Sequence, residues 1–371
     1  MLAANPRTTY EEEDLMPKNG MLIRIALAVV AIAAVAATVA GTGSAARTSG
    51  VTINGAGSSL IAPAVGLWAP KYHSATGNTV NYSTVGSGTG EKDIDTRQVS
   101  FGASDAPLSV YKDTPNPCTG CVQIPWALTA TVPVANIGLA DGKLKLSPSV
   151  LAGIYLGKIT KWNNTAIKKI NPGVKLPNES ISVVYRSDGS GDTYVFTHYL
   201  SSVSATWRKQ VGYSTTITNW PTGTGAPKNA GVAAAVQNTP GAIGYVSAAY
   251  VVNDKLDSAS VENRAGNYVK VSINSIAIAA KTVTKVPANN EISLVNPPAV
   301  KKYYQAWPIS TFTYVFLHKA GDVNATDTNT TKAFITYGIQ HQGTIRSLVF
   351  APISDIVVKA DLNTLKQVKF Q

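Results

Sequence analysis

The chain has 371 residues, of which 44% are hydrophobic and 14% are charged. This length is sufficient for two domains of ordinary size, each with its own hydrophobic core. The formal net charge of +11 favours anionic partners. Nucleic acid is not among them, because the basic residues are scattered and do not form a stripe with interleaved aromatic residues.

The N-terminal segment has the pattern of an export signal. Residues Leu22–Gly41 are almost entirely apolar, and small residues follow at Gly41–Ala46. This order is typical of a secretory signal peptide, although the apolar length approaches that of a membrane-spanning helix. Residues 1–46 are therefore predicted to be an N-terminal extension with a signal peptide or anchor. The rest is predicted to be exported, to the periplasm or the cell exterior and surface, without a lipid anchor because both cysteines lie far from the signal.

Short β-rich runs then alternate with helical stretches. Repeated strand–loop–helix units favour α/β layers around a largely parallel sheet. Residues 253–306 give no clear pattern of secondary structure. The three tryptophans Trp68, Trp126 and Trp207 are predicted to be core residues. The predicted strands are 51–54, 79–85, 99–103, 122–134, 181–185, 242–246 and 308–318. The predicted helices are 62–74, 91–97, 148–155, 163–170, 194–203, 230–237, 331–340 and 354–365.

Four strand-to-helix loops are built from small and hydroxyl-bearing residues. They are Gly55–Ser59, Gly86–Gly90, Ser104-Asp105 and Asp188–Gly191. Free N–H groups and a partial positive charge at a helix N-terminus attract anions, and glycine allows close approach. Any one such loop could be a simple helix cap. Together, at the carboxyl ends of strands, they predict a ring of donors for a small oxyanion.

The two cysteines, Cys118 and Cys121, are separated by two residues. This spacing also occurs in redox dithiols and in half of a zinc site, but a zinc site needs a second ligand pair that the four scattered histidines do not provide. In an exported chain the spacing is better interpreted as a structural disulfide.

Catalytic motifs are absent from the sequence. It contains no Gly-x-Ser-x-Gly elbow and no His-Glu-x-x-His pair, and the Gly86–Gly90 loop does not complete a dinucleotide fingerprint. The chain is therefore predicted not to be an enzyme, with no catalytic residue, metal or cofactor.

At these loops the sequence resembles the phosphate-binding proteins of phosphate-specific ABC importers. The resemblance runs in matching order from about Val51 to the C-terminus, and residues 253–306 match poorly. It is carried by the four loops, by Asn171–Gly173 and by the segments 154–163, 240–245 and 307–309.

This resemblance implies an α/β fold, the two-domain clamshell of the periplasmic-binding-protein type II class, with a central cleft and two crossing hinge strands. Val122–Val134 is expected to be the first crossing strand and Ile309–His318 the return. Domain I is then expected at residues 50–130 and 311–371, and domain II at residues 131–310. Closure about the hinge is expected on ligand binding.

The resemblance also implies the residues that contact phosphate. Ser59, the Leu60 backbone N–H, Ser87 and Asp105 are expected to bind from the first domain. Arg186, Ser190, Gly191 and Asp192 are expected to bind from the second, with Asp188 orienting Arg186.

The residues agree with a site for a protonated anion. Arg186 offers charge-assisted hydrogen bonds to two anion oxygens. Phosphate near neutral pH keeps a proton that the Asp105 carboxylate can accept, whereas sulfate carries none and would leave a buried carboxylate unpaired. Asp192 stands where one common form of the motif has threonine. If its side chain points inward it is a second acid at the anion, and if it points outward it caps the following helix.

The sequence therefore predicts an exported protein that binds inorganic phosphate as a monomer and delivers it to the permease subunits of an ABC importer. Three alternatives stay open: a binder of another oxyanion, a phosphate scavenger or sensor without a transporter, and a phosphatase.

Overall fold

The computed structural model describes residues 50–112, 117–321 and 325–369. The predicted signal peptide or anchor lies outside these residues. Within them, no helix combines the length and the apolar character that crossing a membrane requires.

The strands match the predicted ones and add short ones after residue 140. They are β1 (Thr52–Gly57), β2 (Thr79–Thr84), β3 (Phe101–Ser104), β4 (Cys121–Ala135), β5 (Lys145–Leu146), β6 (Ser182–Arg186), β7 (Thr224–Ala226), β8 (Ala242–Ser247), β9 (Ser260–Glu262), β10 (Tyr268–Val269) and β11 (Ser310–His318).

Helices lie between most of these strands, and short 3₁₀ turns cover residues 108–111, 301–303 and 342–348. The α-helices are α1 (Ala62–Thr76), α2 (Ser87–Asp95), α3 (Pro148–Tyr155), α4 (Thr165–Ile170), α5 (Gly191–Val203), α6 (Ala205–Gln210), α7 (Lys228–Asn238), α8 (Ala248–Asn253), α9 (Ile273–Ala280), α10 (Ala325–Gln340) and α11 (Asp355–Leu365).

The main sheet has eight strands in the order β2-β1-β3-β11-β4-β8-β6-β7. Its outer strands are parallel, as expected, whereas β11 is antiparallel to both β3 and β4, and β4 is antiparallel to β8. We call β2, β1 and β3 with their helices the first half, and β8, β6 and β7 with theirs the second half. A separate three-stranded sheet has the order β10-β9-β5.

Strand β4 joins the two halves. Its residues 121–130 pair with β11, and residues 131–135 pair with β8. Pro125 lies at an irregularity in the pairing between Thr313 and Tyr314, which is where a residue without an N–H is tolerated in a central strand. The two predicted crossing strands are therefore β4 and β11.

Aromatic residues fill the core on both sides of the crossing strands. Trp68 and Trp126 lie 5.0 Å apart by ring centroids in the first half, and Phe196 stacks on Tyr245 at 4.5 Å in the second. Trp68, Trp126 and Trp207 are fully buried, which confirms that they are core residues. Burying each large side chain stabilises the fold by roughly 2–3 kcal/mol, so the strand ends that these residues support are held firmly.

The predicted start of α2 is wrong, and the difference affects which N–H groups lie at the start of this helix. The sequence predicts a loop at Gly86–Gly90 before a helix at residues 91–97, but α2 begins at Ser87. Gly86 supplies the turn with a φ of 93°, in the region that favours glycine. The first N–H groups of α2 therefore come from the hydroxyl-rich segment itself.

Candidate functional site

Arg186 ends β6 and is 3% exposed. Its Nε and Nη2 atoms donate to the two oxygens of Asp188 at 2.8 and 2.6 Å. Burial opposes ionisation of Asp188, but the hydrogen bonds from Arg186 and from the Lys228 backbone lower the pKa of this carboxyl below its usual value. Asp188 thus stays ionised and fixes the plane of the guanidinium, which is the orienting arrangement that we expected.

Asp105 follows β3 and is 1% exposed. Its Oδ2 accepts a hydrogen bond from the Ser58 hydroxyl at 2.5 Å, and its Oδ1 accepts one from Thr313 at 2.6 Å. Burial, reinforced by repulsion from Asp192, raises the pKa of Asp105 to about 7, although the two hydroxyls and Arg186 oppose the rise. Asp105 is therefore protonated more readily than an exposed aspartate.

Asp192 lies in the first turn of α5 and points inward, with 0% exposure. Its Oδ1 accepts from Thr131 at 2.7 Å, while its Oδ2 accepts from the Asn229 amide at 2.6 Å and from Arg186 Nη1 at 3.3 Å. Burial raises the pKa of Asp192 above its usual value, against the charge of Arg186 and the hydrogen bonds of Thr131 and Asn229. Asp192 is thus a second acid beside Asp105.

The outward, helix-capping alternative for Asp192 is wrong. The cap of α5 is Ser190, whose hydroxyl accepts a hydrogen bond from the Thr193 N–H at 3.2 Å. Serine is among the best residues at this position because its oxygen satisfies an otherwise free N–H group.

The two halves meet directly at the predicted anion loops. The Gly191 N–H donates to the Ser87 hydroxyl at 3.0 Å, and the Gly88 N–H donates to the Gly189 carbonyl at 3.1 Å. A Cβ at Gly191 would lie 2.5 Å from both Cβ and N of Asp105. Since Ser87, Gly88 and Asp105 belong to the first half, the structure is a closed clamshell in which glycine permits the contact.

Ser59 and Leu60 complete the first-half loop. The Ser59 hydroxyl accepts from the Asn229 backbone and side-chain nitrogens at 3.1 and 2.9 Å. The Leu60 N–H donates to the Ser58 hydroxyl at 3.0 Å. Both Ser59 and Leu60 are buried, so the loop between β1 and α1 faces the second half.

The structure therefore brings all nine predicted site residues to one edge of the sheet. These residues are Ser59, Leu60, Ser87, Asp105, Arg186, Asp188, Ser190, Gly191 and Asp192. The N-termini of α2, α5 and α7 converge there, and each contributes a partial positive charge.

Three polar residues at this edge were not predicted from the sequence. Thr131 and Thr313 lie inside the crossing strands and donate to Asp192 and Asp105. Asn229 lies in α7 and contacts Ser59 and Asp192. None has a local sequence signal, because each reaches the site through the pairing of distant segments.

The cysteines lie away from this edge. Cys118 and Cys121 form a disulfide, which confirms the structural interpretation of their spacing. The Nε2 atom of His318 lies 3.9 Å from the Cys118 sulfur, so the described residues do contain one group of three residues, Cys118, Cys121 and His318, of types that can bind a metal. Both sulfurs are used in the disulfide, and His318 Nε2 bonds the Ile94 carbonyl at 2.6 Å.

Comparison with solved structures supports the fold. The high-affinity periplasmic phosphate-binding protein PfluDING, solved with phosphate at pH 8.5, superposes with a TM-score of 0.66 at 20% identity, covering 86% of this chain and 100% of that one. The phosphate-binding protein from Stenotrophomonas maltophilia gives a TM-score of 0.60 at 21% identity, covering 84% and 92%. These likenesses confirm the expected α/β clamshell of the periplasmic-binding-protein type.

Comparison with sequences is more specific. The model of the PBP superfamily domain matches residues 37–340. The phosphate-binding protein PstS of Xylella fastidiosa (strain 9a5c) is 39% identical over 318 residues, 85% of each chain. PstS of Haemophilus influenzae is 39% identical over 323 residues, 85% of this chain and 94% of that one. The chain therefore belongs to the PBP superfamily and, within it, to the family of PstS phosphate-binding proteins.

Proposed function

We propose that this protein binds inorganic phosphate outside the cytoplasm and delivers it to the permease of an ABC importer. The observation that carries the proposal is a buried arginine beside two buried acids in a cleft closed over three helix N-termini: Arg186 pairs with Asp192, and its charge acts on Asp105. The family relationship agrees with it, since the relatives are phosphate-binding proteins.

The two halves share the proposed ligand contacts. Ser59, Ser87 and Asp105, with the Leu60 N–H, act from the first half; Arg186, Ser190, Gly191 and Asp192 act from the second. We take residues 50–130 and 311–371 as domain I and residues 131–310 as domain II. The division is supported by the point in β4 where pairing changes from β11 to β8, between residues 130 and 131.

The charges at the site select a protonated anion. Three carboxylates, of Asp105, Asp188 and Asp192, face the guanidinium of Arg186. A fully deprotonated anion would add negative charge to a site already rich in it, at a cost that low dielectric increases. A phosphate that keeps its protons donates them to Asp105 and Asp192, so repulsion is replaced by short charge-assisted hydrogen bonds.

Sulfate cannot make these bonds near neutral pH because it has no proton to donate. Each unpaired acid would then remain buried against the anion, and a polar group left unpaired in this way can reduce affinity by about 10⁴-fold. The same geometry therefore supplies both binding and discrimination. Binding alone is proposed, since the relatives are phosphate-binding proteins.

Isothermal titration of the purified protein with phosphate and then with sulfate tests the proposal. We expect phosphate to bind one-to-one and sulfate to give no heat at the same concentration. Arg186→Ala should abolish phosphate binding, while Arg264→Ala, which removes an exposed arginine, should leave it unchanged. Equal affinities for the two anions, or hydrolysis of a phosphomonoester that Arg186→Ala abolishes, would refute the proposal.

A further inference from the structure

Asn229 is 0% exposed and makes four hydrogen bonds, of which the two to Ser59 cross the closed cleft. Its Oδ1 accepts from the Ser247 N–H at 2.7 Å. Its Nδ2 donates to Ser59 at 2.9 Å and to Asp192 at 2.6 Å, and its backbone N–H donates to Ser59 at 3.1 Å. Because a backbone N–H can only donate, the Ser247 contact fixes which end of the amide carries the oxygen.

These contacts determine what the Ser59 hydroxyl can do. Its oxygen accepts two hydrogen bonds, one from each nitrogen of Asn229. A hydroxyl has two acceptor lone pairs and one proton. With both lone pairs occupied, Ser59 can interact with a further group only by donating its proton, and it is thereby prepared for an unprotonated oxygen.

Asn229 leaves Ser59 as a donor, but it keeps Asp192 as an acceptor. The amide N–H can only donate, so Asp192 Oδ2 is held as an acceptor. Thr131 and Arg186 donate to the same carboxylate. Asp192 is thus kept able to receive a proton from a ligand, despite the burial that favours its neutral form.

The two contacts belong to different halves of the molecule. Ser59 precedes α1 in the first half, whereas Asn229 and Asp192 lie in α7 and α5 of the second. The bond from Asn229 to Asp192 can persist when the halves separate, but the bonds to Ser59 exist only in the closed clamshell.

We propose that Asn229 is a positioning residue that, on closure, orients Ser59 as a donor and Asp192 as an acceptor, and so sets which phosphate oxygens are recognised as protonated. The inference rests on the proposed function. Asn229 contacts Ser59 only when the clamshell is closed, so closure changes the hydrogen bonding of groups on both sides of the anion.

Two substitutions separate this role from simple packing. Asn229→Asp keeps the oxygen that accepts from Ser247 but replaces the donor near Asp192 with a second acceptor. The charged or titratable groups around Asp192 are Arg186, Asp188 and Asp105, with Tyr245 and Tyr250 further out. We expect phosphate affinity to fall at least 100-fold at pH 8 relative to wild type, and the deficit to shrink about 10-fold by pH 6, where the new acid pair shares a proton.

Asn229→Ala removes the side-chain donors without adding charge. We expect a loss of about 10-fold at pH 8, in keeping with the loss of hydrogen bonds to buried groups. The matched control is Asn263→Ala. Asn263 is 5% exposed, and its amide donates to two backbone carbonyls far along the chain from the site loops. This variant should be less stable yet bind phosphate as wild type does.

Wild-type affinity and wild-type pH dependence in both Asn229 variants would overturn the inference while leaving the proposed function intact. If the wild-type protein did not bind phosphate, the proposed function itself would be refuted. Urea unfolding of the ligand-free Asn229→Asp variant then tests the same contacts. Its loss of stability relative to wild type should grow from pH 6 to pH 8, and a loss equal at both values would overturn the inference.

Discussion

Gly191→Ala adds one methyl group where the two halves touch. The new Cβ would lie 2.5 Å from Cβ and N of Asp105 and 2.7 Å from its Cα. Carbon atoms in ordinary contact are about 3.5–4.0 Å apart. Since two of these three atoms are backbone, no side-chain rotation relieves the clash, and the halves must separate by about 1 Å.

That separation affects the inter-half hydrogen bonds. The bond from the Gly191 N–H to the Ser87 hydroxyl, now 3.0 Å long, would lengthen to about 4 Å, beyond the range of a hydrogen bond. Overpacking of this kind costs about 1–3 kcal/mol. Because the cost falls on the closed state alone, we expect phosphate affinity to drop roughly 10- to 100-fold while the free energy of unfolding of the ligand-free protein changes little.

Isothermal titration and small-angle scattering together measure this effect. The variant should bind more weakly and compact less than wild type on addition of phosphate. The matched control is Gly66→Ala in α1, where an added Cβ has no atom within 4 Å and alanine favours the helix. Wild-type affinity in Gly191→Ala, with the control also unchanged, would refute the closed contact as the binding geometry.

Three further predictions concern single groups. Arg186→Lys keeps a positive charge but cannot make the two-point contact with Asp188, so titration should show phosphate affinity reduced at least 10-fold. Asp361, in α11, is 0% exposed; neither of its oxygens has a hydrogen-bond partner among the described residues, and burial raises its pKa to about 9. Because the pKa of Asp361 in the folded protein exceeds its unfolded value of about 4, the wild-type protein loses stability as pH rises between these two values. The free energy of unfolding of Asp361→Asn, measured in urea, should therefore increase relative to that of wild type by about 1.4 kcal/mol per pH unit from pH 5 to 8. A difference that does not change with pH would contradict this. Replacing Cys118 and Cys121 with serine should lower the free energy of unfolding by about 2 kcal/mol, as expected for so short a loop, with phosphate affinity unchanged in titration; a loss of affinity would link the disulfide to the site.

Much of the fold could be predicted because its signals are local. The crossing strand predicted at residues 122–134 is β4, residues 121–135, since a long apolar run outweighed two prolines. The structure of residues 253–306 could not be predicted because it depends on long-range contacts and not on local signals. Their strands β9 and β10 have only three and two residues, and the segment 289–292 is fixed by long-range contacts, such as those of Asn290 with Gln123 and Thr364.

The site was predicted only where its chemistry is concentrated in loops. Arg186, Asp105 and the serines lie at strand ends among small and hydroxyl residues, a pattern visible in the sequence. Thr131, Thr313 and Asn229 come from strand and helix interiors, where a polar residue has no distinguishing neighbours. Their role follows from tertiary pairing, and the same pairing determines that Asp192 points inward.

The phosphate affinity of the wild-type protein between pH 6 and pH 9 tests most directly that the two acids, Asp105 and Asp192, bind a protonated anion. At higher pH the free phosphate and the free carboxyls have lost protons, so forming the protonated complex requires the uptake of a proton from solution. We predict that affinity falls above neutral pH, with a slope approaching one decade per pH unit. An affinity that rises with pH, as the doubly charged anion becomes the main species, would contradict the account.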